Sequence, residues 1–253
     1  MRSRISARAV SGLALIELLI ALFLAALLLT GLVHIVSSAN SATRLQDNQA
    51  QLQGQVRYAF RLLSSTISQA GYRPRPWDPD YSIDAIVDRT QDNVSMAGDR
   101  LVLRTWSELN CFDNQNPVSD AQGNPAFYIR ETAFDVNSSG HLARECRYGP
   151  STAELTTQVR RQGLVPGVES FQLLFGVDHN RDGFVEQWVR AGAWSDQAQV
   201  LGVRIGLALR SDDAVVDAAS GEFSILDTRL SNPPDGRLRT VLEITAAIRG
   251  RSG

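Results

Sequence analysis

The sequence contains no lysine; apart from three histidines, every basic side chain is arginine. We read this as genome bias rather than mechanism, although arginine suits surface ion pairs. A cationic surplus is also absent. The formal net charge of −2 excludes a nucleic-acid binder that relies on a broad basic surface. His34, His141 and His179 stand in no metal-ligand spacing with cysteine or acid, which removes the zinc readings. No Ser-His-Asp set carries a recognisable local motif, so the sequence offers no catalytic residue. Internal repeats and low-complexity tracts are missing. Only one long apolar run occurs, which leaves at most one membrane-spanning helix.

That run is the dominant feature of the 253 residues, which otherwise have ordinary globular composition. It extends over 13–36 and holds a single charged side chain, Glu17. About 20 apolar residues suffice to cross a bilayer. Arg2, Arg4 and Arg8 precede it, no acid lies among residues 1–12, and no arginine follows it immediately. This asymmetry keeps the N-terminus cytoplasmic and puts the rest of the chain in the periplasm. Loss of the three leader arginines would take the formal charge from −2 to −5.

The helix is expected to continue past the membrane. Leu45, Leu52, Val56, Phe60, Leu63 and Ile67 recur at helical spacing, with polar residues between them. No proline occurs before Pro74, and Gly71 suits a helix C-cap. One helix over 13–70 would be roughly 85–90 Å long, with Gly31 and Gly54 as weak points. Residues 72–98, dense in Pro and Asp, read as irregular. Strands follow at 100–106, 126–131, 143–148 and 156–161, and with stronger patterns at 168–177, 184–190, 200–210 and 237–249. Val203, Ile205, Leu207 and Leu209 alternate as a half-buried strand requires, as do Leu238 to Ile248. Residues 107–125 and 211–236 read as loops. Trp77, Trp106, Trp188 and Trp194 read as core or partner surface.

Gly12 followed by LALIE carries the first chemical signal. An ordinary secretory signal would instead be cut after its apolar core, and Ser37-Ser38-Ala39 offers such a site. Against that stand the length of the run, the acid inside it, and the helical pattern that continues beyond Ala39. An acid within an apolar span costs roughly 2.5–3.5 kcal/mol at mid-bilayer and is usually paired. Cutting after Gly12 would supply a partner, the new α-amino group of Leu13, which could meet Glu17 of a neighbouring subunit. The alternative is Glu17 snorkelling to the interface.

A basic leader, Gly12, apolar Leu13, Glu17 and about twenty apolar residues together resemble the processing motif of type IV prepilins and type II secretion pseudopilins. The resemblance implies a prepilin peptidase that cuts between Gly12 and Leu13 and methylates the new N-terminus at Leu13. Leu13 and Ala14 depart from the commoner Phe or Met and Thr or Ser. RYAFRLLSSTISQAGYR, VPGVESFQLLFGVDHNRDGFVEQWV, VLGVRIGLALRSDD and RLRTVLEITAAIR resemble the PilW family of minor pilins. Residues 73–155 are the least matched part.

Two further clusters are candidates for covalent and ligand chemistry. Cys111 and Cys146 fall in the part placed outside the cytoplasm, where disulfides persist. A bridge would contribute roughly 3–4 kcal/mol on the loop-entropy argument; two buried free thiols are the alternative. In Asp178-His179-Asn180-Arg181-Asp182-Gly183-Phe184-Val185-Glu186, oxygens at Asp178, Asn180 and Asp182 precede a glycine as in the first half of a calcium loop. The Phe184 carbonyl and Glu186 would add ligands. Val189 stands where an EF-hand has its bidentate Glu, and the flanks read as strands. The alternative is a polar hairpin turn at Asp182-Gly183.

These observations predict an α+β, pilin-like fold: leader 1–12, transmembrane and filament-core helix 13–36, amphipathic half-helix 37–71, and periplasmic β-rich head 72–253. The expected function is that of a minor pilin. It would be stored in the inner membrane, help initiate type IV pilus assembly, require no cofactor beyond candidate Ca2+, and partner other minor and major pilins and the prepilin peptidase. Its rivals are a type II secretion minor pseudopilin and, in another class, a membrane-anchored periplasmic enzyme or binding module.

Overall fold

The structure, a computed structural model, describes residues 15–95 and 97–250; the leader, Gly12 and Leu13 lie outside the described residues. The chain divides into two compact units after Asp47. One helix, α1 (Leu15–Gln69), runs without interruption through both Gly31 and Gly54, where helical geometry tolerates glycine at a cost of about 1 kcal/mol each. It ends as Gly71 turns to φ 76°, a left-handed conformation that glycine adopts without a Cβ penalty. The Gly71 N–H donates to the Arg104 carbonyl at 2.8 Å and so ties the helix end to the sheet.

Among the described residues eleven strands follow: β1 (Gln91–Ser95), β2 (Gly98–Ser107), β3 (Tyr128–Val136), β4 (Leu142–Gly149), β5 (Thr156–Val165), β6 (Val168–Val177), β7 (Gln187–Val189), β8 (Val200–Ala214), β9 (Gly221–Ile225), β10 (Thr228–Asn232) and β11 (Arg237–Ala247). The main sheet has the order β11-β8-β6-β2-β3-β4-β5, with β1 added to β2 and β7 to β6; β9 and β10 form a separate hairpin. All pairings are antiparallel except β2 with β6, which meet only at Gly98 and Phe171. The expected α+β class is the observed one.

The β2–β6 joint has a backbone reason. Gly98 (φ 117°) brings its α-carbon so close to β6 that a Cβ would lie 2.0 Å from the Phe171 carbonyl oxygen. Beside it, buried Asp99 accepts from the Asn93 N–H (2.9 Å) and the Leu173 N–H (2.7 Å). Its carboxyl is pushed up to about 6 by burial, which outweighs those two donors, with Asp92 adding to the rise.

The core lies between the distal part of α1 and one face of the sheet. Leu52, Ala59, Leu63 and Ile67 are buried against residues that include Leu103, Phe134, Phe171, Phe175, Ile205 and Leu207. Two stripe positions differ from expectation. Phe60 is exposed and Ala59 is buried instead, because residue 59 lies seven after Leu52 and four before Leu63 whereas residue 60 is rotated about 100° away. Asn48 is also buried, with its Nδ2 donating to Asp213 at 3.5 Å.

β3, β5 and β8 run past the ends read for them, to Val136, Val165 and Ala214, and three larger differences stand beside these. β1 forms in the stretch read as irregular, and β9–β10 in a stretch read as loop. That hairpin seats buried Ile225 over Gly206, whose missing Cβ leaves the space. The strand expected at 184–190 shrinks to β7, because residues 178–186 form a closed loop of side-chain-to-backbone bonds.

Candidate functional site

Every residue from Leu15 to Arg44 is exposed. Within 15–36 the exposed side chains are mostly large and apolar, Leu15 at 77 % and Leu28 at 76 % among them. Water does not tolerate an apolar surface of this extent, so lipid or other protein must cover it. It is the one helix among the described residues that is long and apolar enough to cross a membrane. Glu17 lies in its first described turn. His34 sits exposed in the same run.

In the head, Cys111 and Cys146 are bonded, with Cα atoms 5.8 Å apart. Both are buried among Tyr128, Tyr148 and Val159. Non-reducing peptide mapping of the native protein is expected to recover one crosslinked Cys111–Cys146 pair; two alkylatable thiols would refute it.

The loop after β6 brings three acids together. One oxygen each of Asp178, Asp182 and Glu186 lies within 4.8 Å of the others. Like charges at that distance repel, and backbone donors hold them in place. Asp178 Oδ1 and Oδ2 accept from the N–H groups of Asp182 (3.1 Å) and Gly183 (2.8 Å). Asp182 Oδ1 accepts from Phe184 (2.9 Å), and Glu186 Oε2 from His179 (2.7 Å). Asn180 turns its Oδ1 to the Asp182 N–H and its Nδ2 to the Asp182 carboxylate. Gly183 (φ 90°) and Arg181 (φ 61°) supply the sharp turn. Carboxylates have about four lone-pair sites, so these bonds leave capacity for a cation. The Phe184 side chain is exposed.

One feature of the head was not legible as a site. On the sheet face away from α1, Glu131 (1 % exposed) accepts from Arg89, from Arg104 at 2.8 Å and from Arg147 at 3.1 Å. Asp135 pairs with Arg100 (2.9 Å) and Arg161 (3.0 Å), and Glu145 with Arg89 (3.1 Å) and Arg100 (3.3 Å). Burial alone would push the Glu145 carboxyl up, but Arg89 and Arg100 outweigh it and hold it below the usual range. The available signal was charge at alternate positions of three neighbouring strands, Arg100 and Arg104, Glu131 and Asp135, Glu145 and Arg147.

Residues 126–250 match the family model of the type IV pilus-assembly protein W. No curated protein matches the chain in sequence. Among solved structures, the type IV-like pilin TTHA1219 from Thermus thermophilus is similar in fold, with a TM-score of 0.50 at 16 % identity, over 79 % of this chain and 96 % of that one.

Proposed function

We propose that this chain is a minor pilin of the PilW family that helps start pilus assembly after its leader is removed; the match of residues 126–250 to the type IV pilus-assembly protein W model and the pilin-like fold support this reading. The protein is a structural subunit, not an enzyme. One observation carries the finer reading. A single unbroken helix has an apolar, exposed first part and a second part whose stripe is built into the head's core. Such a helix can rest in a bilayer and later pack against the same helices of other subunits without refolding the head. In this reading the N-terminus stays on the cytoplasmic side with Arg2, Arg4 and Arg8, and the head is periplasmic. The pilus-assembly family favours a pilus over a type II secretion pseudopilus.

Glu17 would then meet the α-amino group of a neighbour's Leu13. Glu17→Leu removes a desolvation cost and so keeps the protein in the membrane. Its incorporation should fall by about tenfold or more, the effect of an assembly contact weakened by roughly 1.4 kcal/mol. Immunoblots of sheared pili and of membranes read both quantities. Equal incorporation of mutant and wild type would remove the assembly role.

The acidic loop extends the proposal to a divalent cation, with Asp178, Asp182 and Glu186 as carboxylate ligands and Asn180 and the Phe184 carbonyl as further oxygens. Calcium takes six to eight oxygens, so waters complete the shell and affinity sits near 10⁻⁴–10⁻³ M, about that of extracellular modules. Calcium at about ten times its Kd should stabilise the head by roughly 1.4 kcal/mol, a rise of about 3 °C or more in Tm over chelator. Asp182→Ala should abolish the difference. Equal melting of the wild type in both buffers would leave the segment as a turn.

A further inference from the structure

Between the last turns of α1 and the sheet lies a cavity of about 210 Å³ that neither the acidic loop nor the apolar first part of α1 lines. Ser65, Thr66 and Gln69 line it from the helix, Thr132 from β3, and the Cys111–Cys146 bridge from the side. Two guanidinium groups enter it, Arg130 from β3 and Arg144 from β4. Their partners are weak. Arg130 donates to Gln69 Oε1 at 3.4 Å and to Asp113 at 3.3 Å, and Asp113 is itself 73 % exposed. Arg144 donates through Nη2 to the Cys111 carbonyl at 3.3 Å, while its Nε is buried with no acceptor among the described residues. Burial, with the nearby Arg144 charge adding to it, pulls Arg130 below the usual arginine range despite Asp113. The site is therefore a partly open recess with a surplus of donors, in which two guanidinium groups face the single carboxylate of Asp113.

A second recess of about 420 Å³ shares Gln69, Thr105 and Arg130 with the first. It adds an apolar side, Tyr72, Trp106, Leu109 and Phe127, and a polar side, Ser107 and Glu108. The carbonyl end of α1 also favours positive charge nearby, which accounts for an arginine there. It does not account for the open volume, for a buried Nε without an acceptor, or for a recess with an apolar side joined to it.

We infer that this paired cavity binds a carboxylate carried on a short apolar body, with Arg130 and Arg144 holding the oxygens and the Tyr72–Phe127 recess holding the body. Guanidinium groups match carboxylate geometry, and buried donors gain most from a charged acceptor. The apolar side of the recess separates this ligand from inorganic phosphate, which has nothing to place there. The carboxylate could come from a small organic acid or from a peptide's C-terminus.

The test uses the full chain in detergent micelles, with isovalerate as the probe and isovaleramide and phosphate as controls at matched ionic strength. Isovalerate should raise Tm saturably, and isovaleramide and phosphate should not. A short peptide ending in leucine, compared free and amidated at its C-terminus, distinguishes the sources: tighter binding of the free-acid peptide than of isovalerate points to a peptide terminus, and the reverse to a small acid. Arg144→Gln should weaken isovalerate by roughly tenfold or more, as loss of a hydrogen bond to a charged group implies. Asp113→Asn, an exposed change that leaves the fold alone, should tighten it by releasing Arg130, and this variant decides the matter if Arg144→Gln fails to fold. Binding of isovaleramide as tight as isovalerate, a response to phosphate alone, or no response to isovalerate would each overturn the inference.

Discussion

Glu131→Ala is expected to lower the unfolding free energy of the head by about 3 kcal/mol or more, the effect of removing one partner from a buried ion pair. Glu131 is 1 % exposed and receives three guanidinium groups. Without it they face one another across a void. Arg89 keeps Glu145 at 3.1 Å, and Arg147 keeps the Leu155 carbonyl at 3.2 Å. Arg104, with 18 % of its side chain exposed, loses the ion-pair partner seen here and has little access to water. Solvent around Arg89, whose side chain is 41 % exposed, moderates the loss. Glu131→Gln, which keeps an acceptor but not the charge, should fall between wild type and alanine. The control is Arg181→Ala, whose pair with Asp196 is largely exposed and should change stability by less than about 0.5 kcal/mol. Denaturant unfolding of the full chain in detergent measures all three. An effect of Glu131→Ala as small as that control's would mean that the network is ordinary surface charge.

Replacing Gly12 with valine is expected to abolish processing nearly completely. The resemblance to prepilins implies a peptidase that needs the small residue before the scissile bond. The uncut chain would keep Arg2, Arg4 and Arg8, which anchor its N-terminus on the cytoplasmic side. Its only α-amino group would then sit twelve residues before Leu13, so a neighbour's Glu17 would lack its counter-charge in the apolar interior. The variant should accumulate in membranes at wild-type levels, run larger by the leader, and be absent from sheared filaments. Wild-type levels in filaments would show that the leader is not removed at Gly12 or that removal does not matter.

The parts of the fold written in apolar periodicity were legible in the sequence. β6 begins and ends where its pattern does, and the alternation Val203, Ile205, Leu207 and Leu209 faces the core as read. β9 and β10 were not legible because GEFSI and TRLSN are short and mostly exposed; only Ile225 is buried, and what holds it is the space over Gly206, far away in sequence. β1 was hidden likewise, in a polar stretch with Asn93 at φ 50°. The outer-face ion pairs were not legible, since alternation reports which face is polar but not whether its charges meet. The acidic loop was legible as a spacing of oxygens. That its acids are held together by backbone N–H groups is visible only in the folded structure. The arginine cavity joins the end of α1, two strands and a loop, and no local pattern links them.

Manufacture as a prepilin that matures to a pilin beginning at Leu13 is tested by the intact mass of the protein from native membranes. One mature species beginning at Leu13 is expected. A species beginning at Asn40, as ordinary signal cleavage after Ser37-Ser38-Ala39 would give, or one retaining Met1 would contradict it.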